Sequence, residues 1–166
     1  MADYDMEAAV RTFFSCPRFA VAGASSDPRK FGHKIFAWYL LHSLPATPLN
    51  PRTATIEALS STYPATSTPS ALSIPSEYAL SIITPPKVTL PLLKEAKEVG
   101  IEAVWLQPGT FDDEVMEYAR REFKAAIGGM EGKKKLTGSE GEGWCVLVDG
   151  EWGMGLAGRK DDGEKL

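Results

Sequence analysis

Two histidines and two cysteines are all that 166 residues offer to imidazole or thiol chemistry. Cys16 and Cys145 stand far apart, which excludes a dense disulfide framework and fits reduced thiols in a cytoplasmic protein. His33 and His42 lie in or beside one helix with no further ligand at metal-binding spacing, so they are expected on the helix surface and no metal site is expected. Positive charge is also scarce: 18 basic against 22 acidic residues leave a net charge of −4, the wrong sign for a protein that neutralises a nucleic-acid backbone. No stretch approaches the roughly 20 apolar residues that a membrane span needs. The opening MADYDMEAAVRTFF is acidic, without the basic and apolar regions of a secretory or transit peptide. A GxSxG nucleophile turn is missing, and so is a GxGxxG fingerprint, because Ser25 and Pro28 stand where glycines would be needed. No catalytic residues are assigned.

With 43% hydrophobic and 24% charged residues, the composition is that of a globular protein, and residues 1–166 are expected to form one domain. Met6, Val10, Phe13 and Phe14 share a helical stripe over 5–14, and Pro17 ends that helix. A strand over 18–23 leads through a polar turn into an apolar helix that runs from 31 to 44 and stops at Pro45. A second strand covers 47–50. Residues 52–76 are rich in Ser, Thr, Ala and Pro and suggest only a short helix over 56–59 and a short strand over 63–66. A strand over 77–84 ends at Pro85-Pro86, and a helix follows to Val99, with Pro91 acceptable in its first turn. A buried strand over 103–106 precedes Gln107-Pro108-Gly109, and Thr110 with Asp113 suggests a capping box for a helix reaching Ala126. Residues 128–143 read as a mobile glycine-rich insertion, with Lys133-Lys134-Lys135 a solvated charge run. A last strand is expected over 144–148, and 153–166 as a disordered tail. Trp38, Trp105 and Trp144 are expected in the core.

Strands alternating with helices of 10 to 15 residues imply right-handed crossovers and parallel pairing. The expected fold is therefore α/β: a three-layer, Rossmann-like, doubly wound sheet of five to six mainly parallel strands with helices on both faces. Ligands of such sheets bind at the carboxyl ends of the strands, where four turns converge. The first, 23–32, offers backbone amides at a helix N-terminus with Ser25, Ser26, Arg29 and Lys30, a chemistry suited to phosphate or pyrophosphate. The second, Asn50-Pro51-Arg52, lacks the acid that nicotinamide-dependent enzymes present to the adenosine ribose. Thr84-Pro85-Pro86 and Gln107-Pro108-Gly109 supply rigid backbone and uncharged hydrogen-bonding groups. Asp112-Asp113 are explained as helix-start acids.

The runs FAVAGASSDPRKFGHKI, PLNP, SIITPP and AVWLQPG, in this order and spacing, resemble the CoA-binding domain family over about 13–126. That family includes small stand-alone proteins and is similar to the N-terminal nucleotide domain of the succinyl-CoA synthetase α subunit. The resemblance implies coenzyme A, or an acyl-CoA, lying across the carboxyl edge of the sheet. Its phosphate loop maps onto Gly23, Ala24, Ser25, Ser26, Lys30, Phe31 and Gly32, with Ser25, Ser26 and Lys30 as pyrophosphate contacts. Asn50, Pro51 and Arg52 would meet the adenosine side, with Arg52 at the 3′-phosphate. Thr84, Pro85 and Pro86 would line the cofactor, and Gln107, Pro108 and Gly109 would close the far side. Stand-alone members often carry a cysteine after the last strand; here Cys145 precedes the expected strand, so no thiol role carries over. The phosphorylated histidine of the ligases belongs to a second domain, and ligase activity is not expected.

The reading that results is a binding module for a small nucleotide ligand, without evident catalysis, touching neither nucleic acid nor membrane. Two alternatives stay open: an NAD(P)-dependent oxidoreductase, and a protein-interaction module that keeps the fold, its partner unknown.

Overall fold

Helix α1 (Met6–Ser15) starts at Asp5, whose carboxylate accepts from Ala8 N at 3.0 Å, and it buries Met6, Ala9, Val10, Phe13 and Phe14. The structure, a computed structural model, describes residues 4–138 and 143–159. After α1 the chain runs through β1 (Arg18–Ala22), α2 (Phe31–Leu41), β2 (Ala46–Leu49), β3 (Thr55–Ala58), β4 (Ser61–Pro64), β5 (Tyr78–Ile82), α3 (Pro86–Glu98), β6 (Ala103–Leu106), α4 (Asp113–Glu122), β7 (Ala125–Ile127), α5 (Lys133–Thr137) and α6 (Val146–Leu156). Five strands form one parallel sheet in the order β2-β1-β5-β6-β7. The order reverses between β1 and β5, which opens a crevice where their carboxyl ends diverge. The expected doubly wound fold is the one observed, with five strands.

Alternation along each strand sorts the core into two layers. Phe19, Val21, Ala79 and Trp105 face α1, α2 and α6, among Phe13, Phe14, Phe36, Trp38, Tyr39 and Trp144. Ala20, Leu80, Ile82, Val104 and Leu106 face α3 and α4, among Leu93, Ala96, Val115 and Ala119. Trp38, Trp105 and Trp144 are buried as expected.

Four expectations are corrected. The helix after Gly109 ends at Glu122, and Ala125–Ile127 forms the fifth strand: three consecutive buried residues pair with β6, and Ala125 N donates to Glu102 O. Helical propensity at Ala125 and Ala126 yields to a sheet edge that α1 covers. Asp112, not Thr110, caps α4, accepting from Val115 N at 2.9 Å. Residues 56–59 are no helix: β3 and β4 form an antiparallel hairpin whose tight turn is Leu59-Ser60, both at positive φ. Pro91 falls in the second turn of α3, because Pro85 and Pro86 start that helix early; it has no N–H to give Lys87 O, and both residues lie on the exposed side of the helix.

The largest departure lies beyond β7. Residues 128–143 are not solely a loop, since Lys133–Thr137 form α5, and the expected strand over 144–148 becomes the start of α6. Two glycines explain the docking of α6. A Cβ on Gly150 would stand 2.3 Å from the Trp38 ring, and one on Gly153 would stand 2.6 Å from Phe14. Helix α6 therefore approaches α1 and α2 more closely than any side chain permits. It runs to Leu156 and the described chain to 159, across part of the expected tail, and 139–142 and 160–166 lie outside the described residues.

Candidate functional site

At the carboxyl end of β1, Gly23 takes φ +93°, and a Cβ there would press on the backbone of Ile83 at 3.2 Å. The chain then turns back over the sheet and enters α2, where Gly32 permits the closest approach of any glycine among the described residues. A Cβ on Gly32 would lie 2.0 Å from Gly23 O. The first turn of α2 thus sits directly on the loop. Its N-cap, Lys30, provides no side-chain cap; His33 N and Lys34 N donate to Lys30 O, and the amides of Phe31 and Gly32 carry the helix's partial positive charge toward another acceptor.

Side chains brace this loop from several elements. Ser25 Oγ accepts from Asp27 N at 3.1 Å, and Ser26 Oγ accepts from Glu57 N at 2.9 Å, which ties the loop to the hairpin. Both hydroxyls thereby keep their own proton to donate. Asn50 is a clamp: its Nδ2 donates to Ala24 O at 3.0 Å and its Oδ1 accepts from Arg52 N at 2.8 Å. His33, expected as a plain surface residue, donates from Nδ1 to Ser25 O at 3.1 Å. Arg29 forks onto Asp27 at 3.0 and 2.9 Å, and that pairing holds the Asp27 carboxyl below its ordinary range. Of the loop cations, Arg29 is therefore matched internally, while Lys30 and Arg52 stand exposed at the rim.

Beside the loop lies a cavity of about 620 Å³, within the size range of small-ligand sites, about 300–1,000 Å³. Phe31 and Ile35 form its α2 wall, Ile83, Thr84 and Pro85 its β5 wall, and Gln107 to Thr110 its β6 wall. Lys133, Gly143, Cys145, Leu147 and Val148 close the remaining side. A second cleft of about 210 Å³ adjoins Gly23, Pro51, Thr68, Thr84 and Val88. Thr84 lines both, its Oγ1 2.8 Å from Thr89 Oγ1. Of the residues singled out in the sequence, Phe31, Thr84, Pro85, Gln107, Pro108 and Gly109 meet around the large cavity, and Gly23, Pro51 and Thr84 around the smaller one. Ala24, Ser25, Ser26, Lys30, Gly32, Asn50 and Arg52 build the loop between them or its rim. Pro86 is the first residue of α3 and lines neither.

Two features of the large cavity had no signal in the sequence. Gln107 is 3% exposed; its Oε1 accepts from Val146 N at 3.1 Å, while its Nε2 is buried with no hydrogen-bond partner among the described residues. Leaving such a donor unmatched costs about 1–3 kcal/mol. Lys133, read from the sequence as part of a solvated run, is 1% exposed. Its Nζ lies 3.1 Å from Asp149 Oδ2 and donates to Gly143 O. The same Asp149 Oδ2 accepts from Cys145 N, so the pair pins α5 to the start of α6. Burial pushes the Cys145 thiol up, and Asp149 adds to that, against the opposing pull of the Leu147 and Val148 amides and of Lys133. At neutral pH this wall carries a thiol, not a thiolate.

Cys16 and Cys145 are both free. Among the described residues no group of three or more His, Cys, Asp or Glu side chains is placed to hold a metal ion, and no helix is long and apolar enough to cross a membrane.

Solved structures with this architecture come from archaea and bacteria. A conserved hypothetical protein from Pyrococcus furiosus is 28% identical, with 66% of this chain and 90% of that one aligned at a TM-score of 0.56. A hypothetical protein from Pyrococcus horikoshii is 21% identical over 76% of this chain and 88% of that one, at 0.61. A protein from Thermus thermophilus is 23% identical over 73% and 89%, at 0.59. The last two speak for the fold alone. No curated protein matches the chain. The family model described as "CoA binding domain" matches residues 17–131, from the turn before β1 to the residues after β7. With β1, the glycine loop, the start of α2 and the carboxyl ends of β5 and β6 all inside that match, the chain belongs to the CoA binding domain family.

Proposed function

We propose that this protein binds coenzyme A or an acyl-CoA as a nucleotide-binding module and performs no chemistry of its own on it. The observation that carries this reading is the fit of Gly32 against Gly23 O, which seats an uncapped helix N-terminus on a tight loop between two clefts. In this reading the pyrophosphate lies on that N-terminus, with Ser25, Ser26 and Lys30 donating to it. The adenosine occupies the smaller cleft beside Pro51, with Arg52 at the 3′-phosphate, and the pantetheine arm enters the large cavity past Thr84 and Pro85. Asn50 supports the loop and leaves the adenosine to its neighbours.

Isothermal titration calorimetry of the protein against CoA, dephospho-CoA, NAD, NADP and ATP tests the assignment. We expect CoA to bind in the micromolar range, about −8 kcal/mol, with dephospho-CoA and NAD clearly weaker. Binding of NAD or NADP with none of CoA would transfer the site to an oxidoreductase. Silence from every nucleotide would leave a fold used for protein interaction.

A further inference from the structure

The large cavity is more apolar than a thiol terminus requires. Phe31, Leu147 and Val148, three exposed apolar side chains, gather at this one cavity, with Ile35 and Ile83 further in. Helix α6, which supplies Leu147 and Val148, lies outside the family match. The wall also presents little charge. Among the described residues that line the cavity, Lys133 is the only charged one, and its ammonium is engaged by Asp149 and Gly143 O. Gln107, one of the lining residues, carries an unmatched donor: its Nε2 is buried without a partner among the described residues, while its Oε1 already holds Val146 N.

We propose that this cavity is an acyl pocket: it takes the uncharged acyl group of an acyl-CoA, whose thioester carbonyl accepts a hydrogen bond from Gln107 Nε2. This inference rests on the CoA reading above and deepens it. An apolar acyl group leaves water for the Phe31, Leu147 and Val148 surfaces, while the carbonyl satisfies a donor that the described residues leave unmatched. A carboxylate at the end of the acyl group would be desolvated against apolar side chains, with Lys133 already committed to Asp149. The pocket therefore selects neutral acyl groups over acidic ones of the same length.

The test is a calorimetric ligand series on the full chain: CoA, butyryl-CoA, S-butyl-CoA, which keeps the chain but has no carbonyl, and succinyl-CoA. Butyryl-CoA should bind about 10-fold or more tighter than CoA from apolar burial and the hydrogen bond together. S-butyl-CoA should lose roughly 3- to 10-fold relative to butyryl-CoA, and succinyl-CoA should bind no tighter than CoA. Gln107→Glu keeps an acceptor for Val146 N but replaces the amide donor, and should erase the difference between butyryl-CoA and S-butyl-CoA. If that variant does not fold, the wild-type series still decides. Equal affinities for CoA and butyryl-CoA would overturn the acyl pocket, and equal affinities for butyryl-CoA and S-butyl-CoA would overturn the role of Gln107. Succinyl-CoA binding tighter than butyryl-CoA would overturn the neutral preference and point to Lys133 as a carboxylate receptor. Silence from the whole series, CoA included, would instead remove the CoA reading on which the proposal rests.

Discussion

Lys133 Nζ and Asp149 Oδ2 lie 3.1 Å apart with both side chains almost wholly buried, the lysine 1% and the aspartate 2% exposed. The pair joins two short helices at the edge of the candidate cavity. Breaking a buried pair strands a desolvated charge, a loss of roughly 3–5 kcal/mol, so Lys133→Met or Asp149→Asn should each destabilise the fold by that order. Replacing both, as Lys133→Met with Asp149→Leu, should cost less than either single change. Urea unfolding of the four proteins decides it, and additive losses would refute the coupling.

The contact of Gly32 with Gly23 O is backbone against backbone, so neither side can rotate away. Gly32→Ala should lower stability by roughly 1–3 kcal/mol through overpacking, and should weaken CoA at least about 10-fold by displacing the loop from the α2 N-terminus. A variant that binds CoA as the wild type does would detach the loop from the ligand.

Arg52 and Arg29 separate by their partners. Arg29 is already matched by Asp27, whereas Arg52 stands exposed beside the smaller cleft. Arg52→Ala should cost about 10- to 100-fold in CoA affinity and far less for dephospho-CoA, the range expected of a charge-assisted hydrogen bond. Arg29→Ala should change both ligands little. Equal losses for the two ligands in Arg52→Ala would take that residue away from the 3′-phosphate.

Because burial raises the Cys145 thiol, its alkylation by iodoacetamide at pH 7.5 should be slower than that of a free thiol and should accelerate only at more alkaline pH. Rapid modification at neutral pH would contradict this. Burial likewise raises Cys16, Tyr4 and Tyr39. For each of these groups the folded chain holds a proton that the unfolded chain releases, so stability is fully present below the ordinary thiol and phenol ranges and falls as pH rises through them. Urea midpoints should stay level from pH 7 to about 8 and decline from there to pH 10.5, and a profile flat throughout would argue against the shifts.

How much of the site could be read in advance depends on whether its signal was local. Gly23, the turn at Pro85-Pro86 and the buried run before Gln107 stand at strand ends that period-2 and period-3.6 patterns mark by themselves. The hairpin was hidden because its turn is Leu59-Ser60 at positive φ, without the Asn-Gly or Asp-Gly that announces such a turn. The fifth strand was hidden because Ala125 and Ala126 carry a helical preference that only the empty edge of β6 overrides. Val146, Leu147 and Val148 resemble a strand, and become a helix where Gly150 and Gly153 let it settle under Trp38 and Phe14.

By itself the sequence determined the alternation of strands and helices, the parallel sheet and the gathering of its turns at the carboxyl edge, since each follows from periodicity and from residues that end elements locally. It also determined the glycine loop, because only residues without a Cβ let strand and helix backbones meet there. Only the tertiary structure decided that Lys133 is a buried partner and not a surface charge, that Gln107 keeps an unmatched donor, and that α6 walls the cavity. Those outcomes depend on which distant group fills each residue's surroundings: Asp149 for Lys133, Val146 N for Gln107, the Trp38 and Phe14 rings for α6. A burial that rests on partners this remote leaves no period and no motif in the chain.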